Sequence, residues 1–493
     1  MTTIDTSRPE TGPNTTPPPR GRSGWFRAMV LRLHFFTGLI VGPFILVAAL
    51  SGALYAMAPQ LEKAVYSHEL YSGTEAQNLS LDDQVQRAIE HVDRESTEHE
   101  APPLTSVRPA PQPGMTTRVM FAPPEGSSPS DHRAVFVSPA DGEIRGDLTV
   151  YGSSSSLPLR TWIDQLHRNL HLGEPGRLYA EFAASWMWVI ALGGLILWVP
   201  QLTGRLRAGL SRRRAIREAM LPTPGVKGRK RLLGWHYSAG LGLLVAMLFL
   251  SATGITWSTY GGENVTRLRA ALDWSTPEAS TSLTGAETPA DEHAGHAEHA
   301  AASDDSSSMS MPLDSGYDAI MRASRRLGIG SDQVEIVPAA SMDKAWTVQE
   351  VDRHYPTHVD SVTIDPMTYE RVDSVSFKND YSLPAKLARW GIDIHMGLWF
   401  GLLNQLVLFV VAIGIAAMVV TGYWMWFKRR PTLSRMKAPK SGLRSAPWWA
   451  WPAVGIPALV IGWFLPLLGL PLVAFVLVDG ALAWRSSRTR DTA

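Results

Sequence analysis

Four histidines lie at the ends of the most apolar segments of the chain: His34, His167, His236 and His395. Imidazole nitrogens bind transition metals and haem iron at neutral pH. The chain contains no cysteine, which excludes disulfides, thiolate zinc sites, cysteine-bound iron–sulfur clusters and covalent haem attachment. Any metal or haem would therefore be held by His, Met or oxygen ligands.

An internal sequence repeat aligns these histidines with one another in pairs. The segments LHFFTGLIVGPFILVAALSG and WHYSAGLGLLVAMLFLSATG align without a gap, pairing His34 with His236, Gly38 with Gly240, Ser51 with Thr253 and Gly52 with Gly254. A second gap-free alignment pairs His167 with His395, Gly173 with Gly401, Gly194 with Gly422 and Trp198 with Trp426. This pattern predicts a tandem duplication of helix, outer domain and helix, with both copies facing the same way.

Two interpretations of the histidines follow. A single histidine at a helix end is usually an interfacial cap without a ligand. Four histidines in register, two at each surface of a helical bundle, instead favour cofactor binding, because facing helices build such sites in bundle cores. The sequence therefore predicts two non-covalent haem b groups, one held by His34 and His236 and the other by His167 and His395.

Matched glycines accompany the histidines. Those four or six residues further on are expected to clear space for a flat macrocycle: Gly38, Gly240, Gly173 and Gly401. Another set is expected to allow ordinary close packing between membrane helices: Gly52, Gly254, Gly194 and Gly422.

Arginines near each histidine pair are candidates for binding haem propionates. Arg27, Arg32 and Arg231 flank the first pair, and the second pair is flanked by Arg160, Arg168, Arg177 and Arg389. Interfacial arginines that mark topology would give the same pattern. His171 lies one turn beyond His167 and is an alternative ligand. The repeat pairs His171 with Trp399, which favours His167.

The composition indicates a membrane protein. Hydrophobic residues make up 45% of the chain and charged residues only 18%, so some segments must be nearly free of charge. Lys and Arg total 46 against 45 acids, which points to no nucleic acid partner. Apolar stretches, most of them long enough to cross a bilayer, occur near 35–58, 182–200, 237–257, 396–427, 448–464 and 466–484.

The short loops predict the orientation. Residues 201–232 carry ten Lys and Arg against one acid, and residues 428–447 carry seven against none, so both loops should be cytoplasmic. The protein is then expected in the cytoplasmic membrane with both termini inside. The predicted order is a tail 1–24, membrane segments 25–58, 161–203, 233–260 and 386–428, outer domains 59–160 and 261–385, basic loops 204–232 and 429–447, a C-terminal hairpin 448–484 and a tail 485–493.

Each outer domain is predicted to be a small α+β module, with an amphipathic helix at 79–92 or 316–329 followed by short alternating strands. A Ser/Thr/Ala-rich stretch at 274–311 reads as a disordered insertion. Its histidines His293, His296 and His299, with Met309 and Met311, are candidates for binding copper or zinc, although a plain solvated insertion also fits.

No GxGxxG or Walker A motif is present, and the cytoplasmic loops are too short for a nucleotide-binding domain. Four stretches together resemble the PepSY-associated transmembrane family over residues 25–431: LHFFTG…SGALYA, LHRNLHLGEPGR…LILWVP, GWHYSAG…TGITW and RWGIDIHMGLWFG…TGYWMWFKRRP. The resemblance implies PepSY-type outer domains in an iron-regulated membrane protein. Some members of the family resemble inner-membrane reductases of ferric siderophores with two b haems.

The leading functional hypothesis is therefore a transmembrane electron carrier. It would take electrons from quinol or a flavoprotein inside and reduce a ferric siderophore or other ferric chelate outside. One alternative is a regulatory membrane protein whose PepSY-type modules bind a protease or peptide. Another is haem or copper transport, with the His-rich insertion collecting metal.

Overall fold

The computed structural model describes residues 24–95, 102–123, 126–222, 225–284, 315–428 and 446–491. The first half of the chain contains α1 (Trp25–Ile40), α2 (Gly42–Val65), α3 (Ser67–Leu70), α4 (Leu81–Glu95), β1 (Leu104–Arg108), β2 (Thr117–Phe121), β3 (Asp131–Val137), β4 (Ile144–Tyr151), α5 (Pro158–Asn169) and α6 (Glu174–Arg207). The second half contains α7 (Arg212–Met220), α8 (Gly228–Thr256), α9 (Tyr260–Ala271), α10 (Tyr317–Arg326), β5 (Val334–Val337), β6 (Trp346–Glu350), β7 (Ser361–Ile364), β8 (Arg371–Val375), α11 (Leu383–His395), α12 (Leu402–Phe427), α13 (Ala450–Phe464) and α14 (Pro466–Asp491).

Helices α2, α6, α8 and α12 are each long and apolar enough to cross a membrane. They pack into one bundle, in which α2 contacts α12 and α6 contacts α8. The segment predicted as one helix at 25–58 is instead two helices, which meet at Val41. Pro43 stands in the first turn of α2 and has no N–H to donate, which interrupts the hydrogen-bond ladder at this position.

The histidine-bearing segments before α6 and α12 are separate short helices. Helix α5 ends two residues after His167, and α11 ends at His395. The turns that follow each place a glycine at positive φ before the long helix, with Gly173 at 62° and Gly401 at 56°. These matched glycines supply a backbone conformation that other residues rarely adopt.

The strands of the two outer segments form a single antiparallel sheet in the order β4-β3-β2-β1-β5-β6-β7-β8. Each segment supplies four consecutive strands, and the two units meet where Val107 of β1 pairs with Ile336 of β5. Helices α4 and α10 contribute to one apolar core with this sheet. The sequence predicted the helix and strands of each segment but not that the two units share one sheet.

The two outer segments also cap each other's helices. The Asp82 carboxylate accepts a hydrogen bond from the Tyr317 backbone N–H at the start of α10 (2.7 Å). In return, the Asp318 carboxylate accepts one from the Asp82 N–H in the first turn of α4 (3.1 Å). Each helix N-terminus therefore gains a carboxylate acceptor from the other segment, in addition to the acids of its own first turn.

The C-terminal region forms the predicted helical hairpin. Helices α13 and α14 meet so closely that a Cβ on Gly462 would lie 2.7 Å from the Gly469 Cα. The connection is fixed to the bundle because Trp186 Nε1 donates to the Leu467 carbonyl (3.1 Å) and Asn264 Nδ2 donates to the Phe464 carbonyl (2.9 Å). The apolar part of each hairpin helix is shorter than the four long helices.

Replacing Asp82 with alanine should lower the unfolding temperature of the outer sheet. The change removes the acceptor for the Tyr317 N–H, and loss of a cap of this kind costs about 1 kcal/mol. Thermal unfolding of the full-length protein in detergent measures the effect. The control is Asp93→Ala, an exposed acid near the end of α4. Equal unfolding temperatures for the two variants would show that the cross-capping contributes nothing.

Candidate functional site

His167 and His395 form a pair at the end of the bundle that faces the sheet, here called the sheet-end pair. His167 Nδ1 lies 3.0 Å from the Ser51 hydroxyl oxygen, and that hydroxyl donates to the Val47 carbonyl (2.9 Å). When the Ser51 hydroxyl gives its proton to the carbonyl, the imidazole donates to Ser51 from its Nδ1–H. The Nε2 lone pair of His167 is then left for a metal or haem ligand.

His395 is held in the same way. Its Nδ1 is hydrogen-bonded to the hydroxyl of Thr253, which donates to the Phe249 carbonyl one turn earlier (2.9 Å). Thr253 is the residue that the sequence alignment pairs with Ser51, and His395 is paired with His167. The aligned residue pairs Ser51–His167 and Thr253–His395 therefore make the same hydroxyl–imidazole contact.

The sheet-end pair lies in an aromatic and apolar environment. Tyr55 stacks on the His167 ring with centroids 6.3 Å apart, and Trp257 lies 5.6 Å from the His395 ring. Tyr55 and Trp257 also occupy aligned positions.

The second pair, here called the distal pair, is formed by His34 and His236. Their ring centroids are 6.3 Å apart and the planes are nearly perpendicular. His34 Nδ1 lies 3.1 Å from the Ile190 carbonyl, so this imidazole donates from Nδ1 and again leaves Nε2 with its lone pair. His236 Nδ1 is buried without a hydrogen-bond partner among the described residues.

Both distal histidines line a cavity of about 260 Å³ inside the bundle. Gly38 and Gly240 line it too, and a Cβ on Gly38 would meet no atom within 4 Å. Gly38 therefore leaves open space in the cavity, whereas a Cβ on Gly240 would contact the Met418 side chain, with the sulfur at 3.6 Å. A mostly apolar cavity with two imidazoles and a free nitrogen lone pair fits a flat, largely apolar macrocycle with a central metal.

Three glycines that were expected to serve helix packing instead face histidine rings. A Cβ on Gly52 would lie 3.1 Å from His167 Cε1, one on Gly194 would lie 3.4 Å from His34 Cε1, and one on Gly422 would lie 3.9 Å from His236 Cε1. A Cβ on Gly52 would crowd the His167 ring, whereas one on Gly194 or Gly422 would make an ordinary van der Waals contact. Gly254 does face a neighbouring helix, at Ala184.

The alternative ligand His171 points elsewhere. It is exposed, stands in the turn after α5 at positive φ, and packs on Trp162 with ring centroids 4.9 Å apart. This geometry favours His167 as the partner of His395. The histidines of the insertion, His293, His296 and His299, lie outside the described residues.

The arginines chosen from the sequence take different positions. Arg389 pairs with buried Asp393 (3.0 Å), and Arg177 pairs with Glu174 (3.7 Å). Arg32 lies over the Phe36 ring, while Arg27 and Arg231 are exposed. The cavity of the distal pair is lined instead by Arg229, which the sequence analysis missed. Arg229 lies seven residues before His236, a spacing that puts both on one helical face and was available as a signal.

Four arginines lie between the sheet and the sheet-end pair and are here called the sheet-end arginine group: Arg108, Arg118, Arg160 and Arg353. Arg160 is buried beside Glu62 (3.6 Å), and Arg108 pairs with Glu335 (3.2 Å). Burial alone would raise the pKa of Glu335, but Arg108, Gln349 and Ser106 hold it below its usual value. Only Arg160 of this group was a sequence candidate.

One other cluster in the described residues has metal-ligand chemistry, formed by His91, Glu95 and Asp147 on the outer domain. The Arg133 guanidinium donates to both Asp147 (3.1 Å) and Glu95 (2.6 Å). This cation already compensates the carboxylates, so the cluster is an ion-pair network.

Comparison with curated proteins finds no match for the chain. The family model described as PepSY-associated TM region matches residues 31–429, which include both histidine pairs and the whole outer sheet. Together with the four helices that can cross a bilayer, this match makes the protein a membrane protein. The chain belongs to the family of the PepSY-associated TM region.

Proposed function

We propose that the protein is a transmembrane electron carrier with two b-type haems, which reduces a ferric chelate on the side of the sheet. His34 and His236 would hold one haem, and His167 and His395 the other. The observation that carries the proposal is the repeated contact of Ser51 with His167 and Thr253 with His395. Histidines that ligate metals usually donate their other ring N–H to an oxygen, which fixes the tautomer.

A structural role for these histidines accounts less well for the same contacts. An interfacial cap bonds water or the end of its own helix, whereas His167 and His395 contact hydroxyls on neighbouring helices, and Ser51 is 6% exposed. The repeated contacts support a tandem duplication, and each four-stranded unit with its helix would be one PepSY-type domain. Both copies of the duplicated unit would then have retained their haem-binding histidines.

The residues of the chain have distinct roles in this proposal. Nε2 of His34, His167 and His395, together with a ring nitrogen of His236, would hold the metals, Ser51 and Thr253 would orient the sheet-end rings, and the glycines beside the rings leave room for them. When bound, a haem with two histidine ligands supplies one-electron transfer and has no open position for substrate. Substrate would therefore dock beside the sheet-end pair and receive the electron without binding to the iron.

The positive-inside pattern of the basic loops supports an orientation in which the sheet lies outside the cytoplasmic membrane and both termini lie inside. Electrons would enter at the distal pair from quinol or a flavoprotein and leave at the sheet-end pair. The substrate class follows from metal chemistry, because hard oxygen ligands of a siderophore hold Fe(III) much more tightly than Fe(II). One electron per iron would then release the metal.

The purified protein should contain about two haems per chain, extractable by acid acetone because no thioether can hold them. His395→Ala or His167→Ala should remove only the sheet-end haem, and His34→Ala or His236→Ala only the distal one. His171→Ala is the matched control and should keep both. The reduced-minus-oxidised spectrum measures haem content. A colourless, folded wild-type protein would exclude the proposal, and loss of both haems from one substitution would exclude two separate sites.

Thr253→Val should weaken binding of the sheet-end haem by about tenfold or more, because the isosteric side chain removes the hydrogen-bond partner of His395 Nδ1. The control is Thr421→Val, since the Thr421 hydroxyl also donates to a carbonyl one turn earlier but has no histidine partner in the described chain. Haem transfer to apomyoglobin measures retention. Equal retention in the two variants would mean that the hydroxyl does not support a ligand.

Reduced protein in liposomes should be reoxidised by an external ferric siderophore, and an external Fe(II) chelator should then develop colour. His395→Ala in the same liposomes should slow this reoxidation at least tenfold, because the electron would have to leave from the distal pair across the bundle. If haem in the wild type stays reduced with every ferric chelate but is reoxidised by Cu(II) or a protein partner, the siderophore assignment is wrong and the electron carrier remains.

A further inference from the structure

The sheet-end arginine group carries more positive charge than its surroundings compensate. Glu335 pairs with Arg108 and Glu62 pairs with Arg160. Among the residues that the structure describes, no carboxylate forms an ion pair with Arg118 or Arg353. Four arginines therefore face two carboxylates, which leaves an excess of two positive charges.

Three of these arginines converge on one turn, at 153–155. Arg108 Nη2 donates to the Ser153 carbonyl (2.6 Å), and Arg353 Nη2 reaches the Ser153 hydroxyl (3.5 Å). Arg118 Nη1 reaches the Ser155 carbonyl (3.5 Å). The contacts made by Arg118 and Arg353 are long and involve neutral oxygens, so they do not neutralise either guanidinium.

The group borders both histidines of the sheet-end pair. Arg160 Nη2 lies 3.4 Å from the Tyr55 hydroxyl, and Tyr55 stacks on His167. On the other side, Arg353 Nη1 lies 3.6 Å from the Met396 sulfur, next in sequence to His395. Tyr55 therefore lies between Arg160 and His167, and Met396 links Arg353 to His395.

The environment of the two unpaired arginines is unfavourable for their charge. Burial lowers the pKa of Arg353 to about 10, and neighbouring Arg389 adds to the lowering. Burial likewise lowers the pKa of Arg118 to about 10, with a further contribution from Arg108. Asp393 and Glu62 act on Arg353 and Arg118 only from beyond ion-pair distance. A cation withdrawn from water without a direct ion pair is costly, and a bound anion would offset that cost.

We infer that Arg353 and Arg118 form a carboxylate-binding site at the sheet-facing end of the bundle, which rests on and deepens the proposed function. Guanidinium groups match carboxylates in geometry and bind them with two parallel hydrogen bonds. The excess of two charges matches two carboxylates. They have two sources, namely the propionates of a haem held by His167 and His395, or the carboxylates of a ferric chelate docked beside it.

The test uses full-length protein in detergent with the variants Arg353→Gln and Arg118→Gln. Arg326→Gln is the matched control, because Arg326 is an exposed arginine on α10 of the same outer sheet domain. Three quantities are measured for each variant: haem content, the midpoint potential of the sheet-end haem, and the binding of citrate as a soluble carboxylate probe. An unchanged unfolding temperature shows that a variant is folded, and Arg118→Gln serves if Arg353→Gln is not.

Loss of the sheet-end haem, or a shift of its potential to more negative values, in Arg353→Gln but not in Arg326→Gln would support the propionate source. The negative shift is expected because an uncompensated propionate stabilises the ferric state. Unchanged haem together with citrate binding weakened at least tenfold would support the chelate source.

If both variants match Arg326→Gln in haem content, potential and citrate binding, the inference is wrong. A wild-type protein without haem would instead contradict the proposed function. The citrate measurement would still decide whether the arginines bind a carboxylate, so the two failures are distinguishable.

Discussion

A buried imidazole can offer one nitrogen to a ligand only if the proton on its other nitrogen has an acceptor, and this requirement governs the sheet end of the bundle. Ser51 and Thr253 meet it because each hydroxyl gives its own proton to a carbonyl one turn earlier and keeps its oxygen free to accept. Much of the local architecture brings the histidines to these hydroxyls. The short helices α5 and α11 end beside these hydroxyls. Turns with a glycine at positive φ then connect them to the long helices α6 and α12.

The two ends of the bundle satisfy this requirement differently. At the sheet end, matched side chains hold both rings, whereas at the distal end a backbone carbonyl accepts from His34 and nothing described accepts from His236. A side-chain hydroxyl can reach an imidazole on a neighbouring helix. A backbone carbonyl can accept a further hydrogen bond only where the hydrogen bonds of its own helix leave it accessible. Histidines that are aligned in the sequence therefore need not have the same surroundings.

The outer sheet determines the electrostatics of the sheet end. Arg108 and Arg118 come from adjacent strands, Arg160 from α5, and Arg353 from the loop after β6. These residues are far apart in the chain and come from both halves of the repeat. They lie together because β1 and β5 join the two four-stranded units and because Asp82 and Asp318 cap helices across the junction. Docking of the two outer segments thus concentrates positive charge above the histidines.

The sequence alone determined the membrane helices, the matched histidines and the preference for His167, because apolar length and gap-free repetition are local properties of the chain. It also gave the aligned hydroxyls and aromatic residues, although their contacts with the histidines were not evident. Only the tertiary structure decided which glycines face imidazoles and that, among the described residues, no carboxylate forms an ion pair with Arg118 or Arg353. These features depend on which side chains meet across elements distant in sequence, and residue type and spacing within one segment do not contain that information.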